Sequence, residues 1–148
     1  MELEKAGLSL AKKLCGEDPV RKNIPYEWRV DSPKREIFHL EEKAVLCVAH
    51  LNAIPTTEEE LMSFEWGQFS IFYTVWSKEK GLGRQIIIDT WNLLKIQHTG
   101  NRYITMSPKT EMAMKFHLRN GAILLQEIQQ PITLSTYEHL GRIFSIRR

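Results

Sequence analysis

The sequence predicts a single domain of mixed α/β (α+β) architecture, with about six to seven strands in a central sheet flanked by helices. Strand-like and helix-like segments alternate along the chain, and two of the strands are separated by only three residues. This order combines a hairpin with helical crossovers. The chain has 148 residues, 43% of them hydrophobic and 26% charged, which suffices for one hydrophobic core. We therefore expect residues 1–148 to form one domain.

The first 35 residues predict a helix followed by a loop. Leucine and alanine recur at helical spacing over residues 2–15, which indicates an amphipathic helix that ends at Gly16. Residues 17–35 are polar and contain Pro19, Pro25 and Pro33, a composition typical of a loop.

The middle of the chain predicts a hairpin, a short helix and a central strand. Residues 36–40 and 44–51 are strand-like and are joined by three charged residues, which favours a hairpin. A threonine followed three residues later by glutamate forms a capping box, and it predicts a short helix over residues 58–65. Residues 70–76 are rich in aromatic and β-branched side chains, which predicts a strong central strand.

The second half alternates helices with strands. Apolar periodicity predicts a helix over residues 84–97, and residues 102–106 form the next strand-like run. Ser107 and Pro108 suit the N-cap and first position of another helix, which Gly121 would end. The remaining strands are predicted at residues 122–128 and, as one or two more, within residues 132–147.

Gly81, Leu82 and Gly83 form a glycine turn between the central strand and the helix that follows it. The first turn of a helix offers unpaired N–H groups and the positive end of the helix dipole, and glycine lets an anion approach the backbone. Three cations and an acid flank these glycines: Lys78, Glu79, Lys80 and Arg84. The turn therefore indicates a phosphate-binding site, although such a turn also serves as a tight strand-to-helix link.

Two other phosphate-binding patterns do not fit this turn. No Gly-Lys-Ser/Thr sequence follows the first glycine at the spacing of a Walker loop. A dinucleotide fingerprint would place a third glycine at position 86, where the chain has Ile86.

Composition and charge limit the type of ligand, the cellular location and the metal binding that we expect of this protein. A net charge of +2 suits an anionic small ligand and does not indicate nucleic acid, and no apolar run is long enough to span a bilayer. Residues 1–5 lack a secretory pattern and the chain has only two cysteines, so a cytoplasmic location without disulfides is expected. The five histidines show no pair at metal-ligand spacing, so no metal is expected.

Two segments resemble the GCN5-related N-acetyltransferase (GNAT) family. Residues 78–83, KEKGLG, are similar to that family's pyrophosphate motif Gln/Arg-x-x-Gly-x-Gly/Ala, with lysine in the first position. Residues 107–125 resemble its late helix and strand, where Ala-x-x-Phe-Tyr-x-x-x-Gly-Phe is common; Ala113, Phe116 and Gly121 match it. The match covers roughly residues 70–128, and both segments are also similar to small phage proteins of this superfamily.

The resemblance implies a GNAT-like domain that uses acetyl-coenzyme A (acetyl-CoA) to acetylate an amine of a small molecule or peptide. It places the cofactor on the glycine turn and on the end of the preceding strand. The cofactor-binding residues implied in this way are Val75, Trp76, Lys78, Glu79, Lys80, Gly81, Leu82, Gly83, Arg84 and Phe116.

The resemblance also implies catalytic residues. A backbone N–H near Val75 or Trp76 would bind the developing oxyanion. His117 replaces the family's usual tyrosine acid, and it would donate a proton to the leaving thiolate. Glu65 is the main candidate for the general base, beside His39 and His50.

Several alternatives remain open at the level of sequence. Residues 58–60, three consecutive glutamates, could attract a cationic amine or could only complement a helix dipole. The substitution of tyrosine by His117 also suits a catalytically silent GNAT-like phage accessory or virion protein, which would bind a partner or CoA without turnover. A homodimer is a further expectation.

Overall fold

We describe the protein from a computed structural model that covers residues 1–19, 21–108, 111–119, 121–127 and 132–136. Within these residues, seven strands form one sheet: β1 (Leu3–Lys5), β2 (Arg35–Leu40), β3 (Ala44–Leu51), β4 (Phe69–Ser77), β5 (Arg102–Pro108), β6 (Ile123–Glu127) and β7 (Ile132–Thr136). The helices in the described part of the chain flank this sheet: α1 (Leu8–Cys15), α2 (Tyr26–Arg29), α3 (Glu58–Ser63), α4 (Leu82–Gln97) and α5 (Glu111–Arg119). These elements confirm the predicted mixed α/β class with a central sheet and flanking helices.

The sheet has the strand order β1-β2-β3-β4-β5-β7-β6. Its first four strands pair antiparallel, and the predicted hairpin is the β2–β3 pair. Strands β4 and β5 pair in parallel, because the α4 crossover connects the C-terminal end of β4 to the N-terminal end of β5. The remaining pairs, β5–β7 and β6–β7, are antiparallel.

The two faces of the sheet pack against different helices, because successive strand residues point to opposite faces. On one face, buried residues of α1 and α3 pack against alternate residues of β3, including Val45 and Cys47. On the other face, α4 and Phe116 of α5 pack against Leu46 and Val48. None of the helices in the described ranges is both long and apolar enough to cross a bilayer.

The predicted N-terminal helix over residues 2–15 is wrong in its first half. Leu3–Lys5 form the edge strand β1 beside β2, with Leu3 opposite Leu40, and helix α1 begins only at Leu8. Leu3 packs on the α4 face of the sheet, whereas Ala11 and Leu14 pack on the opposite face. Hydrophobic spacing alone does not distinguish one continuous helix from a short strand followed by a helix, because the strand β1 depends on pairing with β2, which lies about 30 residues further along the chain.

The predicted helix start at Ser107 and Pro108 is also wrong. Both residues belong to β5, where they lie opposite Thr133 and Ile132 of β7, and helix α5 begins at Glu111. Pairing of β5 with β7 therefore overrides the local capping pattern. Strands predicted beyond residue 136 and at residue 128 lie outside the described residues.

The capping box before α3 is confirmed. The Thr57 side chain accepts a hydrogen bond from the Glu60 N–H at 3.1 Å, and the Glu60 carboxylate accepts one from the Thr56 N–H at 2.7 Å. The helix ends at Ser63, two residues earlier than expected. Within the predicted loop 17–35, a four-residue helix, α2, forms after Pro25.

Candidate active site

Strands β4 and β5 separate towards their C-terminal ends. Their parallel register runs from Phe69 and Arg102 to Phe72 and Thr105, and no pair of these two strands is described beyond that point. Strand β4 continues to Ser77 beside β3, while β5 continues beside β7. The edge of β4 that faces β5 therefore loses its neighbouring strand. We call this opening the split.

The glycine turn follows the same end of β4. Gly81 is the N-cap of α4 and has φ 87°, a left-handed conformation that favours glycine. A Cβ atom built at Gly81 would meet no atom within 4 Å, so the turn opens onto free space. The Leu82 N–H donates to the Glu79 carbonyl oxygen at 3.3 Å. The next N–H groups of the first helical turn, beginning with that of Gly83, have no acceptor one turn earlier in the helix, so the turn can bind an anion such as a phosphate.

The charges around the turn are partly neutralised. Lys78 forms an ion pair with Glu17 at 2.6 Å, and Glu79 forms one with Lys43 at 3.2 Å. Lys80 is exposed and forms no ion pair with any residue in the described ranges. Among the predicted cofactor residues, Lys80 is thus the cation best placed to meet a phosphate.

Gly83 has a packing role that sequence reasoning missed. It is buried, and a Cβ atom there would lie 3.4 Å from Cζ of Phe116 and 3.5 Å from Oγ of Ser77. The absence of a side chain lets α5 approach the first turn of α4. Leu82, the first residue of α4, is also buried and packs in the core with other residues of this helix. Arg84, in the same first turn, is half-buried. Phe116 therefore lies beside the turn, and its role in cofactor binding stays a prediction.

Val75 and Trp76 lie on β4 at the level of the split. They pair with Leu46 and Val45 of β3, and their half-buried side chains pack on opposite faces of the sheet. The backbone edge that faces away from β3 borders the opening. This geometry suits the predicted backbone donor at Val75 or Trp76.

Arg21 occupies the split itself. Its Nε donates to the Tyr73 carbonyl oxygen of β4 at 2.5 Å, and its Nη2 donates to the Met106 carbonyl oxygen of β5 at 3.1 Å. The residue is only 3% exposed, and burial lowers the pKa of its guanidinium while nearby Glu58 opposes that shift. Arg21 thus bridges the two strands where their own pairing has ended.

A buried ion pair holds the loop that carries Arg21. Arg29 Nη1 donates to Asp18 Oδ2 at 2.7 Å, and its Nη2 donates to the carbonyl oxygen of Arg21 at 2.5 Å. Asp18 Oδ1 in turn accepts the Arg21 N–H at 3.1 Å and the Thr74 hydroxyl at 3.3 Å. The loop is therefore tied to β4 through charged groups in the core.

No sequence signal marked this network. Asp18, Arg21 and Arg29 stand in a polar stretch that is typical of an exposed loop, and charged residues are rarely buried. Their position follows from the β4–β5 split, which leaves backbone carbonyl groups in need of donors.

The comparisons with known proteins identify the fold. No protein-family model matches the chain, and no curated protein matches it by sequence. An acetyltransferase from Thermus thermophilus superposes with a TM-score of 0.59 and 14% identity, covering 92% of this chain and 96% of its own. An acyl-CoA N-acyltransferase from Pseudomonas aeruginosa superposes with a TM-score of 0.57 and 13% identity, covering 91% and 97%. The chain has a GNAT-like fold.

Another solved structure shares this fold over part of a larger protein. A malonyl-CoA decarboxylase from Agrobacterium vitis superposes with a TM-score of 0.61 and 16% identity, covering 81% of this chain. The chain spans 36% of that decarboxylase. At identities of this order the likeness is one of fold.

Within the GNAT-like fold, His117 lies on α5 beside the start of the split. Its Nε2 is 3.4 Å from Oγ1 of Thr105, whose hydroxyl donates to the Phe72 carbonyl oxygen at 3.3 Å. Burial lowers the pKa of His117 to about 4, so the imidazole is neutral at pH 7. It therefore lacks the extra proton of an imidazolium acid, and its catalytic role stays a prediction.

The three base candidates do not meet at the split. Glu65 is exposed and precedes the N-terminal end of β4, whereas the split lies at the other end. His39 accepts the Glu42 N–H at 3.2 Å near the β1 edge. His50 is enclosed between Glu36 and Ser70. The positions of His39 and His50 follow from the register of β2 and β3, which a residue's type alone does not reveal.

The lowered pKa of His117 predicts an acid-sensitive stability. Because the pKa falls from 6.5 in the unfolded chain to about 4 in the fold, the unfolded state binds more protons between these values. The contribution of His117 is present above pH 6.5 and is lost as the pH falls towards 4, by roughly 3 kcal/mol. Urea unfolding of wild type and His117→Gln across this range measures it. Parallel stability profiles of the two proteins would contradict it.

Proposed function

We propose that the protein is an acyl-CoA-dependent N-acyltransferase that transfers an acetyl group from acetyl-CoA to an amine. One observation carries this proposal: β4 loses its β5 neighbour and then runs directly into a glycine turn that is open at Gly81. The free edge of a strand can pair with an amide-containing arm of a ligand, and the anion site that directly follows it can bind a phosphate group of the same ligand.

A CoA-type ligand is also supported by what the similar structures are named for. One is an acyl-CoA N-acyltransferase and another is a malonyl-CoA decarboxylase. In this chain, the first-turn N–H groups of α4 and the Lys80 ammonium group would hold the pyrophosphate. Phe116 would border the arm where α5 approaches Gly83.

The remaining groups at the split suit acyl transfer to an amine. Acetyl-CoA supplies a thioester whose carbonyl carbon an amine can attack, with the thiolate as leaving group. Backbone N–H groups near Val75 and Trp76 would stabilise charge on the carbonyl oxygen. Arg21 adds a fixed positive charge at the same opening, and it keeps β4 and β5 in place through their carbonyl groups.

The amine is proposed to approach from the side of α3. Glu58 Oε2 lies 3.7 Å from Arg21 Nη1, and its side chain is 36% exposed, so it reaches both the split and solvent. The capping box of α3 already engages the carboxylate of Glu60. Glu59 is exposed, so Glu58 and Glu59 are the two of the three consecutive glutamates that would attract a cationic amine of a small molecule or peptide.

A second candidate function is CoA binding without turnover. It is favoured by the neutral, buried His117 and by the positions of Glu65, His39 and His50 away from the split. In that case the turn and the split would serve a ligand or a partner protein, and no proton transfer would be required.

A thiol-release assay separates the two candidates. The full chain is incubated with acetyl-CoA and a panel of polyamines, amino acids, aminoglycosides and peptides with a free N-terminus or lysine, and the released thiol is measured. Release with one amine class, at least tenfold above the rate without amine, is expected, since acid–base and electrostatic effects each exceed this factor. Cofactor binding without release over the whole panel would support the second candidate instead.

A further inference from the structure

A cluster of three metal-ligating side chains lies away from the candidate active site. Glu36 of β2, His50 of β3 and His98 at the C-terminal end of α4 each place one ligand atom within 4.8 Å of the other two. Glu36 and His50 lie on the face of the sheet that α4 covers. The glycine turn is at the other end of α4, about 24 Å away for a helix of 16 residues.

We propose that Glu36, His50 and His98 form a binding site for a divalent transition metal of the zinc class. Two imidazole nitrogens and one carboxylate oxygen, completed by water, are a ligand set that Zn²⁺ takes in tetrahedral geometry. The sequence had indicated no metal, because none of these residues stands at metal-ligand spacing from another. Strand register and the end of α4 bring them together.

The surroundings of His50 orient it as a ligand. Its Nε2 lies 2.9 Å from Glu36 Oε2, and its Nδ1 lies 2.8 Å from Ser70 Oγ, which accepts a hydrogen bond from Asn101 at 3.0 Å. Without metal, Nε2–H can donate to Glu36. With metal, the neutral ring would carry its single proton on Nδ1 instead and donate it to Ser70 Oγ, which leaves Nε2 to coordinate. A hydrogen bond to the far ring nitrogen is the usual partner of a metal-bound histidine.

His98 completes the cluster and leaves it accessible. Its ring stacks on that of His50 with centroids 4.4 Å apart and a tilt of 34°, and it is only half-buried. A metal ion can therefore enter from the side of His98.

The charges around the cluster allow a cation to bind. Glu36 supplies a carboxylate whose Oε2 lies 2.9 Å from His50 Nε2. Lys5 contacts the other oxygen, Oε1, at 3.0 Å and is 48% exposed, so it does not occupy Oε2. A bound metal would tie β2, β3 and the end of α4 together.

Metal titration of the full chain tests this site. After removal of metals with a chelator, calorimetry with Zn²⁺ is expected to show one site per chain, and Co²⁺ should give the visible absorption of a tetrahedral centre. His98→Ala should weaken Zn²⁺ binding by about 100-fold or more, since even the loss of an outer partner costs 10- to 100-fold. His39→Ala removes a histidine outside the cluster and should bind like wild type.

Thermal unfolding provides an independent readout. Zn²⁺ should raise the melting temperature of the wild type and of His39→Ala, and it should leave that of His98→Ala unchanged. If His98→Ala fails to fold, Glu36→Gln takes its place with the same expectation. Absence of Zn²⁺ binding by the wild type, or equal binding by His98→Ala and wild type, would overturn the proposal.

Discussion

Replacing Arg29 with leucine should lower the free energy of unfolding by about 3–5 kcal/mol. The Arg29 guanidinium is 1% exposed and pairs with an Asp18 carboxylate that is fully buried. Removing the guanidinium leaves that carboxylate charged in the core and also removes the donors to the carbonyl oxygens of Ile24 and Arg21. Urea unfolding followed by circular dichroism measures the loss.

The double variant Asp18→Asn with Arg29→Leu is the informative control. The asparagine keeps an acceptor for the Arg21 N–H and removes the uncompensated charge, so the double variant should be more stable than Arg29→Leu alone. If Arg29→Leu changed the unfolding free energy by less than about 0.5 kcal/mol, as a surface substitution does, the ion pair would have no structural importance.

Gly81→Val should weaken acetyl-CoA binding by at least about 100-fold, a loss of about 2.8 kcal/mol or more. Gly81 has φ 87°, and the space around its missing side chain is empty. A valine there has to strain or rearrange the turn, and its side chain enters the volume assigned to the pyrophosphate. Calorimetric titration with acetyl-CoA measures the change.

Gly100→Val is the matched control for this substitution. Gly100 has φ 91°, also faces empty space and lies just beyond the other end of α4. Both valines carry a similar backbone strain and should destabilise the fold by similar amounts. Only Gly81→Val should lose cofactor affinity. A comparable loss in Gly100→Val would indicate a general effect of destabilisation.

Much of the fold follows from local sequence patterns. The β2–β3 hairpin, strand β4 and helix α4 are marked by apolar alternation, aromatic content and helical periodicity. The errors occur where a distant strand decides the outcome. Leu3–Lys5 pair with β2, and this pairing overrides the helical periodicity of the N-terminal residues. Pro108 pairs with Ile132 of β7, and this pairing overrides the local capping pattern.

The candidate site likewise contains features that the sequence predicts and features that depend on the tertiary structure. The glycine turn could be predicted, because a family-like motif marks it, although its contact with Phe116 depends on how α5 packs against α4. Arg21 and the cluster of Glu36, His50 and His98 could not, since their positions depend on strand register and on where β4 and β5 separate. The late helix carries His117 as expected, but the burial of this residue, and with it the lowered pKa, depends on packing against Thr105.

Calorimetric titration of the full chain with acetyl-CoA tests the central claim most directly. We expect one binding site per chain, formed by the open turn at Gly81, the Lys80 ammonium group and the edge of β4 at the split. Its dissociation constant should lie in the micromolar range, which corresponds to a binding free energy of about −8 kcal/mol. Coenzyme A should compete for that site. A wild-type chain that is folded but binds neither ligand at millimolar concentration would contradict the account.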